Sequence, residues 1–218
     1  IHAIYEHADF RAESLEALAG TVRAVLDEYA ADATWSEALT AAIHDTLHTP
    51  LTAAGGELPN LASVALEQRF NELEFMFPVA EAALDGPRAA LSPRQLGRLL
   101  AEHAQSDAER AYAEQLSRLR FAPLRGFLRG FIDLVVEHAG RYYVLDYKSN
   151  RLGETARDYR RPQLEAEMHR HHYTLQYLLY SVAVHRYLQL RLPGYDYDNH
   201  FGGVYYLFIR GMSTRHEA

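Results

Sequence analysis

Apolar positions three and four apart along residues 13–30 (ESLEALAGTVRAVLDEYA) predict an amphipathic helix. Residues 34–49 (TWSEALTAAIHDTLHT) repeat that period, and Thr34 with Glu37 has the spacing of a capping box at its start. The Pro and Gly of residues 50–60 (PLTAAGGELPN) predict a loop. The period then changes. In residues 69–79 (RFNELEFMFPV), Phe70, Leu73, Phe75 and Phe77 interleaved with Glu72 and Glu74 predict a strand ended by Pro78. Two helices are expected next, over about 92–104, opening with Ser-Pro, and 106–119. Residues 121–149 are rich in strand formers, and one long helix is expected over 161–192, with Pro162 in its first turn and Pro193-Gly194 after it. The apolar run GGVYYLFIR at 202–210 predicts a buried strand. Strands flanked by helices on both sides make an α/β fold with a central mixed sheet.

Two of the predicted strands carry chemistry. FIDLVVEH and RYYVLDYKS flank Ala139-Gly140, and X-Gly marks a tight hairpin turn because Gly supplies positive φ. A turn centred there pairs His138 with Arg141, and the same register pairs Asp133 with Asp146. Directly opposed residues share a face with Cβ atoms roughly 5 Å apart. Two carboxylates so placed inside apolar runs repel each other unless a cation or a shared proton lies between them. A hard divalent cation with oxygen ligands, Mg²⁺ or Mn²⁺, suits that place. Lys148 lies two residues beyond Asp146 and so on the same strand face. It is the only lysine in a chain with 22 Lys and Arg. A lysine is a compact donor that titrates where its surroundings demand it, which the planar guanidinium of arginine cannot do.

Composition narrows the function. The net charge of −7 disfavours bulk coating of nucleic acid, yet eleven of the basic residues fall between Ser117 and Arg170, against seven acidic ones. An acidic body with a basic stripe suits local contact with a phosphate backbone, and Arg125, Arg129, Arg151, Arg160 and Arg161 are its candidate DNA-binding residues. On the long predicted helix, Tyr173, Gln176, Tyr177 and Tyr180 form one polar-aromatic stripe whose tips can hydrogen-bond phosphates or bases. The absence of cysteine excludes disulfides, thiolate metal sites and cysteine nucleophiles and fits a reducing compartment. No apolar run reaches the roughly 18 residues of a membrane span, and no signal peptide is visible. The chain begins at Ile1, without methionine and inside a predicted helix, and is expected to be a fragment of a longer one.

With these residues in view, GFIDLVVEHAGRYYVLDYKSNRLG, HRHHYTLQYLLYSVAVHRYL and YDYDNHFGGVYYLFIRGM resemble the RecB-type nuclease domains of the PD-(D/E)XK superfamily. The resemblance is dense over about 121–212 and thinner before it, where IHAIYEHADF and ELEFMFPV are similar to family segments. It implies a restriction-endonuclease-like core over 64–212, a helical N-terminal part over 1–63, and a single nuclease domain within a larger helicase–nuclease subunit. It implies Asp133 and Asp146 as metal-binding carboxylates, the Tyr147 carbonyl and His2 as further ligands of one or two Mg²⁺ ions, and Lys148 as the catalytic lysine. Gln176 and Tyr180 match a Q-x-x-x-Y motif, and Glu72 matches an acidic site residue, although strand alternation leaves Glu74 open as well. The expected activity is exonucleolytic hydrolysis of DNA in double-strand-break repair. Single-stranded DNA, RecC- and RecD-type subunits and a RecA-type recombinase are the expected partners, in the bacterial cytoplasm. The rival is a non-catalytic DNA-binding or docking module of the same fold, which would be expected to lack the aspartates and the lysine.

Overall fold

The computed structural model describes residues 1–12, 14–51, 58–78, 92–120 and 127–213. Three helices come first: α1 (His2–His7), α2 (Leu15–Glu28) and α3 (Ser36–His48). Strand β1 (Arg69–Pro78) is followed by α4 (Pro93–His103), α5 (Asp107–Ser117), β2 (Phe127–His138) and β3 (Arg141–Lys148). After β3 come α6 (Arg161–Arg170), α7 (Tyr173–Arg191), the short α8 (Tyr197–His200) and β4 (Phe201–Phe208). Among the described residues the strands form one sheet in the order β1-β2-β3-β4. β2 and β3 pair antiparallel and β3 and β4 parallel, so the sheet is mixed, as expected for the α/β class.

Two compact units divide the chain. The smaller, Glu74–Gly130, holds α4 and α5, packed on each other as a helical hairpin. Ser92 opens α4 as expected: its Oγ accepts from the Gln95 N–H, and the Gln95 side chain accepts from the Ser92 N–H. The larger unit, Ile1–Leu73 with Phe131–Ala218, holds the paired strands β3 and β4 and the helices packed on them. Parity sorts its two faces. Leu134, Val136, Tyr143, Leu145, Tyr147 and Leu207 bury one face in a core with Ile4, Tyr5, Val22, Ile43 and Leu47 of α1–α3. Val144, Asp146, Lys148, Val204, Tyr206 and Phe208 occupy the opposite face by alternation, and α7 packs on β3 and β4.

The hairpin forms in the expected register. His138 pairs with Arg141 and the ladder runs to Leu134 opposite Leu145. Ala139 and Gly140 both take positive φ, +51° and +78°, the conformation that lets a two-residue turn follow the strand twist. The parallel β3–β4 pair needs a crossover, which α6 and α7 supply.

Three expectations are corrected. The helix predicted over 161–192 is two helices, broken at His171-His172, where His172 is left-handed at φ +56°. HRHH offers no apolar position to carry the helix through, and Glu167 draws His171 and Arg170 back onto itself. The Thr34–Glu37 capping box does not form: Asp32 accepts from the Thr34 N–H at 2.9 Å, making a turn over Ala33–Trp35 that delays α3 to Ser36. The run at 202–210 is an edge strand that stays half-buried from Phe201 to Tyr206 and turns into a 3₁₀ helix at Ile209–Gly211. In β1, Phe70 is exposed while Arg69 is buried, and Glu72 takes φ +48°.

β4 starts where a side chain has no room. A Cβ on Gly202 would fall 2.3 Å from the Tyr143 ring, which is itself buried in the core. Gly202→Ala is therefore expected to cost about 2 kcal/mol, since a rigid buried ring must shift. Urea unfolding should show a lower midpoint with an unchanged slope.

Candidate active site

The site is built around the end of the β2–β3 ladder, beyond Leu134 opposite Leu145. There the Asp133 carboxylate replaces a ladder acceptor, its Oδ2 receiving the Tyr147 N–H at 2.9 Å. The Tyr147 carbonyl faces His2 of α1, with Nε2 at 3.0 Å, and the same nitrogen lies 3.6 Å from Asp133 Oδ2. α1 is held in place by Tyr5, one turn on from His2, whose ring stacks on the buried Tyr147 ring at 3.9 Å and 6°. Tyr147 thus joins the two elements: its ring fixes α1, and its peptide groups meet His2 and Asp133.

Asp146 is 1% exposed. Burial first, and then the Asp133 charge, push its carboxyl from 3.8 up to about 6, against the opposing pull of Lys148 and His2. The Lys148 ammonium stands 2.5 Å from Asp146 Oδ2, a close ion pair. Lys148 also donates to Gln176 Oε1 of α7 at 3.0 Å. It also lies over the Tyr173 ring at 4.0 Å and near the Tyr206 ring at 5.1 Å. Gln176 Oε1 accepts from the Tyr206 hydroxyl as well, while its Nε2 donates to the Tyr180 hydroxyl at 2.8 Å. Burial, with the Asp146 and Asp133 charges behind it, pushes the Tyr180 phenol well up, so it stays neutral.

Glu72 is distinguished from Glu74 here. Burial raises the Glu72 carboxyl, and repulsion from Asp133 and Glu6 raises it further against the opposing pull of His2, which places it in the field of the site. Glu74 instead pairs with Arg129. Among the described residues no group of three or more His, Asp or Glu side chains is arranged to hold a metal ion. What is arranged is a mixed set: the His2 nitrogen, the Tyr147 carbonyl and the Asp133 carboxylate, with Asp146 coupled to them by charge.

Asp133 at the end of the hairpin away from its turn, D-x-K on the next strand and Gln and Tyr from a covering helix thus meet in one place. The profile of the PD-(D/E)XK nuclease superfamily matches residues 7–217. The chain belongs to the PD-(D/E)XK nuclease superfamily. It is similar to the protein named RecBCD enzyme subunit RecB from Escherichia coli K12, 38% identical over 99% of this chain and 17% of that protein. The proteins of that name from Mycolicibacterium smegmatis (43%) and Mycobacterium tuberculosis H37Rv (40%) are similar over 97% of this chain and 20% of their own length. The chain therefore spans about a sixth to a fifth of these relatives.

Within this PD-(D/E)XK domain the remaining candidates scatter. Arg125 lies outside the described residues. Arg129, Arg151 and Arg161 each face a carboxylate, of Glu74, Glu154 and Glu165 respectively. Such exposed pairs are weak and open readily to a phosphate. Arg160 is exposed, at the start of α6. Tyr173 belongs to the lysine's surroundings, whereas Tyr177 lines a groove of about 500 Å³ with Arg161, Tyr197, Phe201, Tyr206 and Phe208. The sequence reading missed Tyr206 and Asn150. Tyr206 lies opposite Asp146 across β3–β4, and only the parallel register reveals it. Asn150 lies two residues past the lysine and accepts a hydrogen bond from the Tyr173 hydroxyl.

Proposed function

We propose that this domain is a Mg²⁺-dependent DNA nuclease that hydrolyses phosphodiester bonds, acting in DNA-end processing as part of a RecBCD-type helicase–nuclease. The observation that carries this is the convergence of Asp133, the Tyr147 carbonyl and His2 beside the buried Asp146–Lys148 pair. The donor set suits a hard cation. The His2 nitrogen and the Tyr147 carbonyl lie 3.0 Å apart, and the Asp146 carboxylate is buried with the Lys148 ammonium against its Oδ2. His2, Asp133, Asp146 and the Tyr147 carbonyl would hold Mg²⁺, with Mn²⁺ as a substitute and Glu72 near enough in charge to bear on a second ion. Bound there, the cation supplies Lewis-acid polarisation of the phosphate and a more acidic water.

The chain's own residues supply the rest. Lys148 offers a charge-assisted donor to the attacking water or to a phosphate oxygen, where negative charge develops. Gln176 holds that ammonium and is itself held by Tyr180 and Tyr206. The groove beside Tyr206, with Arg161 and Tyr177, offers aromatic surface to a flanking single-stranded nucleotide. Arg129, Arg151 and Arg160 would meet the backbone by exchanging their acidic partners, where they have them, for phosphate. The name RecBCD enzyme subunit, borne by the relatives, motivates RecC- and RecD-type partners; action in the bacterial cytoplasm is proposed with them. No helix among the described residues is long and apolar enough to cross a membrane. A RecA-type recombinase is a further proposed partner.

The test uses the 218-residue chain with end-labelled linear single- and double-stranded DNA in Mg²⁺, in Mn²⁺ or in chelator. Degradation in either metal and none in chelator is expected, faster on single strands. Intact DNA under every condition would overturn the catalytic reading in favour of a docking module.

A further inference from the structure

Glu167 is buried in α6, and it has no place in the site described above. Its Oε1 accepts from Asn150 Nδ2 at 2.8 Å. A carboxylate offers only acceptors, so the Asn150 amide is oriented with its oxygen outward. That oxygen receives the Tyr173 hydroxyl at 3.2 Å. The Tyr173 ring in turn carries the Lys148 ammonium at 4.0 Å. The path from Glu167 to the lysine is therefore two hydrogen bonds and one cation–π contact, with no gap.

Other contacts fix both ends of this path. Arg170 Nε lies 3.1 Å from Glu167 Oε2, and His171 Nε2 lies 3.1 Å from Oε1. The His171 ring also stacks against Tyr173 at 5.4 Å, immediately before the left-handed His172 that lets Tyr173 begin α7. On the strand side the Tyr159 hydroxyl accepts from the Leu152 N–H and donates to the Asn150 carbonyl. The helix break places Tyr173 under the lysine, and Glu167 ties the break to the segment leaving β3.

We propose that Glu167 is a positioning residue for Lys148, acting through Asn150 and Tyr173; the catalytic part of this rests on the nuclease reading above. Lys148 touches Asp146, the Tyr173 ring and Gln176 at once. The Tyr173 ring forms one wall of that pocket, and its orientation sets where the ammonium points. Losing that orientation leaves charge and fold in place and degrades the alignment of the ammonium. The effect belongs in kcat and not in KM.

Because Lys148 is the only lysine, uniform labelling with [¹³Cε]lysine gives one side-chain resonance that reports the site whether or not DNA is cleaved. In the parent, the rings of Tyr173 and Tyr206 should shift the attached proton well away from its value in a free lysine. Glu167→Ala is expected to move it toward that value and to lower kcat about tenfold or more, with KM within twofold. Glu167→Gln keeps an acceptor for Asn150 and should restore both the shift and most of kcat. Tyr173→Phe keeps the ring and the fold while removing the link to Asn150, and should reproduce a smaller version of both changes. The double variant Glu167→Ala/Tyr173→Phe should be no worse than the worse single variant. An unmoved lysine resonance in Glu167→Ala, an effect of Glu167→Gln equal to that of Ala, or additive losses in the double variant would each overturn the proposal. A parent that fails to cleave DNA would sink the nuclease reading alone, since the resonance still decides the positioning.

Discussion

Asp146→Asn is expected to abolish DNA cleavage, by at least about 10³-fold, while making the metal-free domain more stable at neutral pH than its parent. The first half follows from losing an anionic oxygen proposed to ligate the cation, beside His2, Asp133 and the Tyr147 carbonyl. The second half follows from the sign of its titration. Asp146 sits at about 6 in the folded chain against 3.8 ordinarily, because burial and Asp133 outweigh Lys148. The folded state therefore binds its proton more tightly than the unfolded state does, and stability falls as pH rises between these two values. Below about pH 4 the parent and the variant should be equally stable with respect to this group. Above about pH 6 the parent should be weaker by a few kcal/mol, at roughly 1.4 kcal/mol per pKa unit. Unfolding by urea in chelator at pH 4 and at pH 7.5 measures the difference. Added Mg²⁺ should then close the gap, stabilising the parent in proportion to its occupancy and leaving the Asn variant unmoved. A parent that gains stability relative to the variant as pH rises would contradict the charge balance described for the site.

This balance is largely legible in the sequence, and the reasons are local. A two-residue turn at Ala139-Gly140 allows one register, and with it Asp133 and Asp146 come to the same end of one ladder. Period-2 alternation then puts Lys148 on the face of Asp146. What was not legible depends on parts distant in sequence. The register of β4 against β3 is set by the crossover, so Tyr206 opposite Asp146 could not be read from either strand alone. The break at His172 sits where Glu167 meets Arg170, His171 and, farther along the chain, Asn150, contacts that no helical period encodes. His2 lies 145 residues from Tyr147, and one histidine among twelve carries no signal of its own; only the family resemblance singled it out. Glu72 and Glu74 share a strand parity, and the pairing of Glu74 with Arg129 distinguishes them.

Lys148→Arg is expected to lower kcat by about 10²- to 10³-fold, with KM changed only a few-fold, although the charge is kept. The pocket is made for a small tetrahedral donor. Its contacts are one carbonyl oxygen of Gln176 at 3.0 Å, the Tyr173 ring at 4.0 Å, and Asp146 at 2.5 Å. A guanidinium is wider and planar, presents its donors as a fork, and cannot give up its proton. In this pocket the best partner for a fork is the Asp146 carboxylate, which it can grip with two hydrogen bonds. That grip draws the donor away from the reacting phosphate and occupies an oxygen proposed to ligate the metal. The substitution should therefore weaken Mg²⁺-dependent stabilisation without eliminating it, whereas Asp146→Asn eliminates it. Thermal unfolding against Mg²⁺ concentration separates the two variants, and single-turnover cleavage measures the rate. Near-parental cleavage by the Arg variant would mean that charge alone suffices at this position, and the arginine-rich composition of the chain would then leave its single lysine unexplained.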